Sequence, residues 1–426
     1  MPALSWSGDM HPDTAILIKA GGYEIEDGAG VAVDADKLTV TVGGATTSHG
    51  SLEDLVESLF SAELLGTAEA SGPPPPVDAF EGCLVGIALG DAIGLAVEGN
   101  NAEVGTEYVA KLEADLTAVG LPWEASPWVQ KQREELEKQG KSWENRSPYS
   151  VGQISDDTEC ARELAVSIIE NGGSFRVGHF GDRLAATHGD TQRIMDTVGV
   201  KQETGIVGQG PTSKYSLDRI LEGESWMTAG RDPPVSFLPL RNRRANGLTG
   251  LWVVAQGGGK SNGAVMRVGP LGLLHWHQPG SPKAWADGAL SSVPTHSAQA
   301  LSLEAAAALS TVVSVAAACS ERGDDEEVRQ RSLAALAAEP HMLDWSGMLS
   351  SMLEAGADSH GPAQKIMREA CEAADPDGAA FAAATAAWAI YAFLKTPSDF
   401  WRTIFACIVR SESPSNLPAF VVSSPG

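Results

Sequence analysis

Paired cysteines are absent from this sequence. Its cysteines are scattered along the chain, and none stands in a Cys-x-x-Cys spacing: Cys83, Cys160, Cys319, Cys371 and Cys407. An odd, unclustered set is neither a disulfide framework nor a zinc site, and it fits a reducing compartment. We therefore expect these residues to be buried, unpaired thiols that pack as small hydrophobic side chains.

Basic residues are also scarce. The chain has 30 lysines and arginines against 55 aspartates and glutamates, which gives a formal net charge of -25. A strongly acidic surface repels phosphate backbones and anionic lipids, so the charge argues against nucleic acid and membrane surfaces as partners. If the ligand is itself anionic, a metal ion, a helix N-terminus or a well-placed arginine must supply local positive charge.

Targeting segments and long apolar runs are missing as well. The first residues carry neither the basic start nor the apolar stretch of a secretory signal peptide. The most apolar stretch, residues 381–394, is shorter than the roughly 18 residues that a membrane helix needs. The composition, with 43% hydrophobic and 20% charged residues, is typical of a globular protein. We expect a cytoplasmic monomer without a membrane partner.

The chain divides into two unequal parts. Residues 1–70 predict a small α+β module, because β-rich runs at 15–18, 31–33 and 37–42 alternate with Gly/Asp turns and Ser51 then caps a helix. Residues 71–78 contain four consecutive prolines and predict a linker. Residues 79–426 are Ala-rich with helical periodicity and predict an all-α domain, interrupted by a polar stretch at 124–149 and a long connection at 171–259.

The first chemical motif lies in residues 80–98. Four glycines recur at every fourth position: Gly82, Gly86, Gly90 and Gly94. On a helix they form one smooth face, which a ligand or another helix can approach closely. Asp91 and Glu98 are two turns apart and project from nearly the same face. Two such carboxylates suit metal binding or acid–base chemistry; the alternative is a tight helix–helix contact with a surface glutamate.

The second motif, Ser155-Asp156-Asp157-Thr158, opens a predicted helix. Serine and aspartate at a helix start are often only caps. Two consecutive aspartates flanked by two hydroxyls exceed what one cap needs, and clustered oxygen ligands suit a hard cation such as Mg²⁺. The absence of nearby histidines, with Cys160 as the one close thiol, argues against zinc.

Two further motifs follow. A Gly-rich turn precedes a predicted helix at Gly257-Gly258-Gly259-Lys260-Ser261-Asn262-Gly263. Its backbone N–H groups can bind phosphate, and Lys260 and Arg267 add positive charge. The alternative is a flexible surface loop. His296 stands just before a long helix, where it is either a ligand-binding residue or simply a polar residue at a helix start.

These four motifs, in this order, resemble the ADP-ribosylglycohydrolase family over about residues 80–410. The resemblance implies an orthogonal helical bundle with a binuclear magnesium site. It also implies an enzyme that cleaves the glycosidic bond between ADP-ribose and an acceptor. The partner would then be an ADP-ribosylated protein or a small conjugate such as O-acetyl-ADP-ribose. The resemblance implies Ser155, Asp156 and Asp157 as Mg²⁺ ligands, Glu98 and Asp157 as catalytic residues, Gly259, Ser261, Asn262, Gly263 and His296 as substrate-binding residues, and Asp91 as a supporting group.

One departure leaves alternatives open. The resemblance implies a second metal motif, Gly-Gly-Asp-x-Asp-Thr, after the helix at residues 400–409. The chain has Ser413 and Ser415 where the aspartates should be, and serine is a far weaker Mg²⁺ ligand than carboxylate. We expect at most one magnesium to be held well. Three hypotheses remain: an active magnesium-dependent hydrolase, a catalytically impaired ADP-ribose-binding or interaction protein, and a C-terminally truncated product that folds poorly.

Overall fold

The computed structural model describes most of the chain. The described residues are 3–8, 10, 15, 17–18, 24–26, 28–65, 77–95, 102–118, 154–198, 206, 208–231, 236–239, 253–256, 261–296, 299–319, 324–338, 342–357, 359–375 and 381–408. The polar stretch at 124–149, Glu98, Gly259 and the segment with Ser413 and Ser415 lie outside these ranges.

Short strands near the N-terminus form one mixed sheet. They are β1 (Ala3–Ser7), β2 (Glu24–Ile25), β3 (Val31–Asp34), β4 (Thr39–Val42) and β5 (Ala45–Ser48). The sheet order is β2-β1-β3-β4-β5, with β1 parallel to β2 and β3 and the last three strands antiparallel. Gly43 and Gly44 join β4 to β5 with φ angles of 56° and 86°. A two-residue hairpin turn of type I′ requires a positive φ at both positions.

Two helices connect this sheet to the rest of the chain. They are α1 (Leu52–Leu59) and α2 (Ala62–Leu65). Ser51 caps α1 as predicted, because its hydroxyl accepts a hydrogen bond from Asp54 N at 3.1 Å. Leu55 and Leu59 are fully buried in the same apolar core as Leu164 of the helical part. The sheet and the helices therefore share one core. The division into residues 1–70, 71–78 and 79–426 stays a prediction.

The remaining described residues are mainly helical. The helices are α3 (Val77–Leu95), α4 (Ala102–Ala118), α5 (Asp156–Glu170), α6 (Val177–Val198), α7 (Pro211–Leu221), α8 (Trp226–Ala229), α9 (Gly269–Leu274), α10 (Pro282–Leu290), α11 (Val293–His296), α12 (Ala300–Cys319), α13 (Asp325–Ala337), α14 (Trp345–Ala355), α15 (His360–Ala374), α16 (Phe381–Lys395) and α17 (Phe400–Ile408). A 3₁₀ turn (Asn262–Ala264) precedes α9, and two strands, β6 (Ser236–Pro239) and β7 (Val253–Gln256), pair antiparallel. The predicted fold class, mainly α-helical and preceded by a small α+β module, is confirmed.

Helix α12 is the centre of the helical part. It packs against α9, α10, α13 and α16, and nearly all of its side chains are buried. By length and apolarity it is the one described helix that could cross a membrane, and 83% of its most apolar window is buried inside the fold. The expectation that no apolar stretch reaches the length of a membrane helix is therefore wrong, whereas α16 is as apolar as α12 but shorter. A helix that is apolar on all sides is typical of a protein core as well as of a membrane span, and here neighbouring helices cover it.

Two local expectations also differ from the structure. The sequence predicts a β-rich run at 15–18, but Ala15, Leu17 and Ile18 are helical. A short apolar run fits a buried helix as well as a strand. The stretch at 171–259, which the sequence predicts to be a long connection that is either functional or loosely ordered, contains α6, α7, α8 and the β6–β7 pair. As expected, all five cysteines are buried, and none of them forms a disulfide bond.

Glycine allows α9 and α10 to approach α12 closely. A Cβ atom on Gly272 would clash with the Val313 side chain and lie 2.8 Å from Ser310 O, and one on Gly288 would lie 2.8 Å from Ala307 Cα. These distances are shorter than any normal carbon contact, so both helices need glycine at the point of closest approach. The position of α10 relative to α12 in turn places α11, which carries His296.

Gly272→Ala should destabilise the fold. The added methyl group overpacks the contact between α9 and α12, which costs about 1–3 kcal/mol and outweighs the gain in helix propensity. Gly30→Ala is the matched control, because a Cβ there would meet nothing within 4 Å. Denaturant unfolding of both variants measures the difference. Wild-type stability in Gly272→Ala would contradict the close packing.

Candidate functional site

Asp91 anchors the candidate site. It lies in the last turns of α3, is only 3% exposed, and faces the N-terminus of α5. Its Oδ2 accepts hydrogen bonds from Ser155 N at 2.7 Å, Thr158 N at 3.2 Å and Thr158 Oγ1 at 2.6 Å, while Oδ1 accepts one from Ser155 Oγ at 2.7 Å. A carboxylate at a helix N-terminus is favoured by the helix dipole, and hydrogen bonds to a charged acceptor are the strong ones. Asp91 therefore fixes the first turn of α5.

The capping positions of α5 are filled by groups other than Asp156 and Asp157. Ser155 is the N-cap, and its hydroxyl oxygen accepts a hydrogen bond from Asp157 N at 3.3 Å. The Ser155 hydroxyl proton faces Asp91 Oδ1 at 2.7 Å and Asp157 Oδ2 at 3.0 Å, and the shorter contact favours Asp91. The cap interpretation of this motif therefore holds for Ser155, and it does not account for the two consecutive aspartates.

Glycine brings a second chain segment against Asp156. Gly208 has a φ of 80°, and a Cβ at this position would lie 2.8 Å from Asp156 Oδ1 and 3.1 Å from Ser155 Cβ. Any other residue would be both strained and in collision with the carboxylate. Asp156 is 6% exposed, whereas Asp157 is half-buried. The two carboxylates are thus held on one helix turn at different depths.

The donor atoms of this turn suit one hard cation. Ser155, Asp156 and Asp157 supply oxygen atoms, and the Ser155 hydroxyl keeps a lone pair because its proton faces Asp91. Among the described residues, no group of three or more His, Cys, Asp or Glu side chains has the geometry to hold a metal. Mg²⁺ is usually bound through one or two carboxylates and retains several waters. The residues present therefore fit a single, largely hydrated Mg²⁺ rather than a closed cage.

The predicted phosphate-binding residues lie close to His296. Gly263 sits in the 3₁₀ turn, and a Cβ there would lie 3.0 Å from Ser213 Oγ and 3.1 Å from His296 Cε1. Ser261 Oγ is 2.8 Å from His296 Nε2. Asn262 begins the same turn and is half-buried. The structure therefore brings together Ser261, Asn262, Gly263 and His296, four of the five predicted substrate-binding residues, while Gly259 lies outside the described residues.

His296 is buried rather than exposed at a helix start. It ends the short helix α11, is 0% exposed, and has Thr295 Oγ1 2.7 Å from its Nδ1. Burial, with the nearby positive charge of Arg267, holds the pKa of His296 well below its usual value. The imidazole is therefore neutral near pH 7 and has one donor and one acceptor nitrogen.

Arg267 occupies a different place from the one that the sequence indicated. It is fully buried, and its Nη2 donates to Thr295 Oγ1 at 2.6 Å and to Ser291 O at 3.1 Å. Asp156 and Cys160 lie close enough to interact electrostatically with the guanidinium, whose pKa burial lowers. Arg267 is thus an internal cation between the first turn of α5 and the segment with His296, and not an exposed phosphate ligand.

Several of these contacts were missed by sequence reasoning. Gly208 and Ser213 lie outside every motif, whereas Thr295 belongs to the fourth motif, Pro294-Thr295-His296-Ser297, without a predicted role. The contacts of all three residues join distant segments. Arg267 carried a usable signal, because it follows the apolar residues Ala264, Val265 and Met266, where a cation is unexpected. The catalytic role of Glu98 stays a prediction, since α3 ends at Leu95 and Glu98 lies outside the described residues. Of the predicted glycine face, Gly86, Gly90 and Gly94 are buried.

A separate cavity lies at the other end of α5. It has a volume of about 660 Å³ and is bordered by the α5–α6 turn, α1 and the segment around His277. Side chains of both charges line it, among them Glu57, Arg176 and Lys283, and it contains none of the predicted site residues. A helix of this length places it roughly 20 Å from Asp156. The candidate site is therefore identified by its side-chain chemistry and not by the size of a cavity.

The comparison with known proteins agrees with the order of the motifs. A sequence model of the family described as ADP-ribosylglycohydrolase matches residues 73–412, which is most of the chain and includes Asp91, residues 155–158, Ser261 and His296. No curated protein matches the sequence.

Asp91→Asn should destabilise the start of α5. The amide is neutral and keeps one acceptor oxygen, so the donors of Ser155 and Thr158 lose their charged acceptor and the Ser155 proton has to turn to Asp157, at a cost of about 1–3 kcal/mol. Asp115→Asn, at an exposed position of α4, is the matched control and should change the free energy of unfolding by less than about 0.5 kcal/mol. Equal stabilities of the two variants in denaturant unfolding would show that Asp91 does not anchor α5.

Proposed function

Because the chain belongs to the ADP-ribosylglycohydrolase family, we propose that it hydrolyses the glycosidic bond between ADP-ribose and an acceptor with the help of Mg²⁺. The acceptor is a side chain of an ADP-ribosylated protein or the acetyl group of O-acetyl-ADP-ribose. One observation carries the proposal: the buried Arg267 lies between Asp156 on α5 and the Thr295–His296 pair, which contacts Ser261. This position of Arg267 supports the proposal that the two motifs belong to one site.

The first turn of α5 provides the metal half of the site. Ser155, Asp156 and Asp157 would hold the Mg²⁺, which supplies positive charge and lowers the pKa of a bound water. Asp157, the more exposed of the two aspartates, then orients a water molecule toward the glycosidic carbon and accepts its proton. Glu98 remains the proposed acid that protonates the leaving group.

The 3₁₀ turn provides the ADP-ribose half of the site. The backbone N–H groups near Gly263 and the Ser261 hydroxyl would bind the diphosphate, and the absence of a side chain on Gly263 lets Ser213 and His296 pack against this turn. His296, which is neutral and buried, positions the Ser261 hydroxyl. The N-terminus of α5 and the internal Arg267 offset the negative charge of this acidic chain where the diphosphate binds.

A second candidate function is an ADP-ribose-binding protein without turnover. The sequence favours it at one place, where Ser413 and Ser415 replace the aspartates of the second metal motif. With one weakly caged Mg²⁺, binding of ADP-ribose would survive while hydrolysis is slow. We propose that either activity takes place in the cytoplasm and in a monomer. Buried thiols without disulfide bonds fit the reducing environment of the cytoplasm.

Hydrolysis is tested by measuring Mg²⁺-dependent release of ADP-ribose from ADP-ribosyl-arginine, ADP-ribosyl-serine and O-acetyl-ADP-ribose. We expect release from at least one substrate, loss of release in EDTA, and a kcat about 100-fold lower in Asp157→Asn because the carboxylate that accepts the proton is gone. Asp182→Asn, an exposed position on α6, is the matched control and should retain full activity.

The negative outcomes separate the two candidates. No release from any substrate, together with ADP-ribose binding in calorimetry, would exclude the hydrolase and leave the binding protein. The absence of both release and binding would contradict both functions. Undiminished activity in Asp157→Asn would remove this residue from the mechanism.

A further inference from the structure

Four side chains form a continuous line of hydrogen bonds from the protein interior to the ligand-binding turn. Arg267 Nη2 is 2.6 Å from Thr295 Oγ1, which is 2.7 Å from His296 Nδ1, and His296 Nε2 is 2.8 Å from Ser261 Oγ. Arg267, Thr295 and His296 are 0% exposed, whereas Ser261 is half-buried. Ser261 is therefore the member of this line that a ligand can reach.

Arg267 sets the donor-to-acceptor direction of each hydrogen bond along this line. Arginine has donors and no acceptor, so Nη2 donates to Thr295 Oγ1. The Thr295 proton then has two possible acceptors, His296 Nδ1 at 2.7 Å and Ser292 O at 3.4 Å. The longer distance is at the limit of a hydrogen bond, so the proton points to His296.

This direction of the hydrogen bonds selects one tautomer of His296. A neutral imidazole that accepts at Nδ1 carries its proton on Nε2. His296 Nε2 then donates to Ser261 Oγ, and the Ser261 proton is excluded from that contact. It is free to point toward an acceptor on the other side of the hydroxyl. In the opposite order, Nε2 would accept the Ser261 proton, and the hydroxyl would present lone pairs to the ligand.

We propose that the Arg267–Thr295–His296 line fixes the Ser261 hydroxyl as a hydrogen-bond donor to an anionic ligand oxygen, with Arg267 and Thr295 as positioning residues. In the function proposed above, on which the ligand assignment rests, that oxygen belongs to the diphosphate of ADP-ribose. The fixed donor favours an anion and disfavours cations and ligands that offer only donors. A cation at the start of the line also polarises each later hydrogen bond in the same direction.

Two substitutions at Thr295 separate this role from packing. Thr295→Val keeps the shape and removes the hydroxyl, whereas Thr295→Ser keeps the hydroxyl and removes a methyl group. Calorimetry with ADP-ribose should show about tenfold weaker binding for Thr295→Val, the loss expected for one hydrogen bond, and binding within about twofold of wild type for Thr295→Ser. Weaker binding by Thr295→Ser than by Thr295→Val is the result for a packing role and would overturn the proposal.

The tautomer of His296, which reports the direction of these hydrogen bonds, is measured without any ligand. In the full-length chain labelled with ¹⁵N-histidine, the His296 signals are assigned by comparison with His296→Gln, and their nitrogen shifts report the tautomer. We expect the proton on Nε2 in the wild type and in Thr295→Ser, and a shift toward the other tautomer in Thr295→Val. A proton on Nδ1 in the wild type overturns the proposal, even if Thr295→Val does not fold.

The two proposals fail in different ways. A wild-type chain that binds no ADP-ribose contradicts the proposed function and the assignment of the diphosphate as the acceptor. The tautomer of His296 still confirms or overturns the proton order in that case. Binding of ADP-ribose without turnover would exclude the hydrolase function and would leave the proposed donor role of Ser261 unchanged.

Discussion

The hydrogen bonds between the Asp91 carboxylate and the N-terminus of α5 are the interaction on which the site depends. Asp91 takes up the N–H and O–H groups of Ser155 and Thr158, which would otherwise compete for the neighbouring carboxylates. One aspartate on α3 thus fixes the helix start, and Asp156 and Asp157 are not its caps. In the proposed magnesium site, Asp91 would be the outer-shell group that orients the oxygen ligands, as metal sites generally need.

The buried Arg267 is the second constraint. A nearly buried carboxylate such as Asp156 is costly unless an opposite charge lies close by, and Arg267 supplies that charge from inside the fold. Its remaining contacts, to Ser291 O and Thr295 Oγ1, hold the segment that carries His296. The proposed metal-binding half and the proposed phosphate-binding half therefore both interact with Arg267, and we expect a change at either half to affect the other.

The sequence predicted the helices and the motifs better than the contacts between them. Helices such as α5 and α15 follow from apolar spacing, and the cap at Ser51 follows from local chemistry, because both signals lie within a few residues. The hydrogen bond from Ser155 to Asp91 joins residues 64 positions apart. No local pattern specifies such a pairing, and the family resemblance indicated only that Asp91 supports the site. The inward direction of Arg267 and the approach of Gly208 to Asp156 depend on packing and were not predictable from spacing.

The central claim is that the first turn of α5 and the turn at Ser261–Gly263 are two halves of one ADP-ribose site. A crystal structure of the full-length chain with Mg²⁺ and ADP-ribose tests it most directly. The account predicts Mg²⁺ at about 2.0–2.1 Å from carboxylate oxygen of Asp156 or Asp157, with the diphosphate against Ser261 and Gly263. ADP-ribose bound elsewhere, for example in the cavity beside Lys283 and His277, would contradict it.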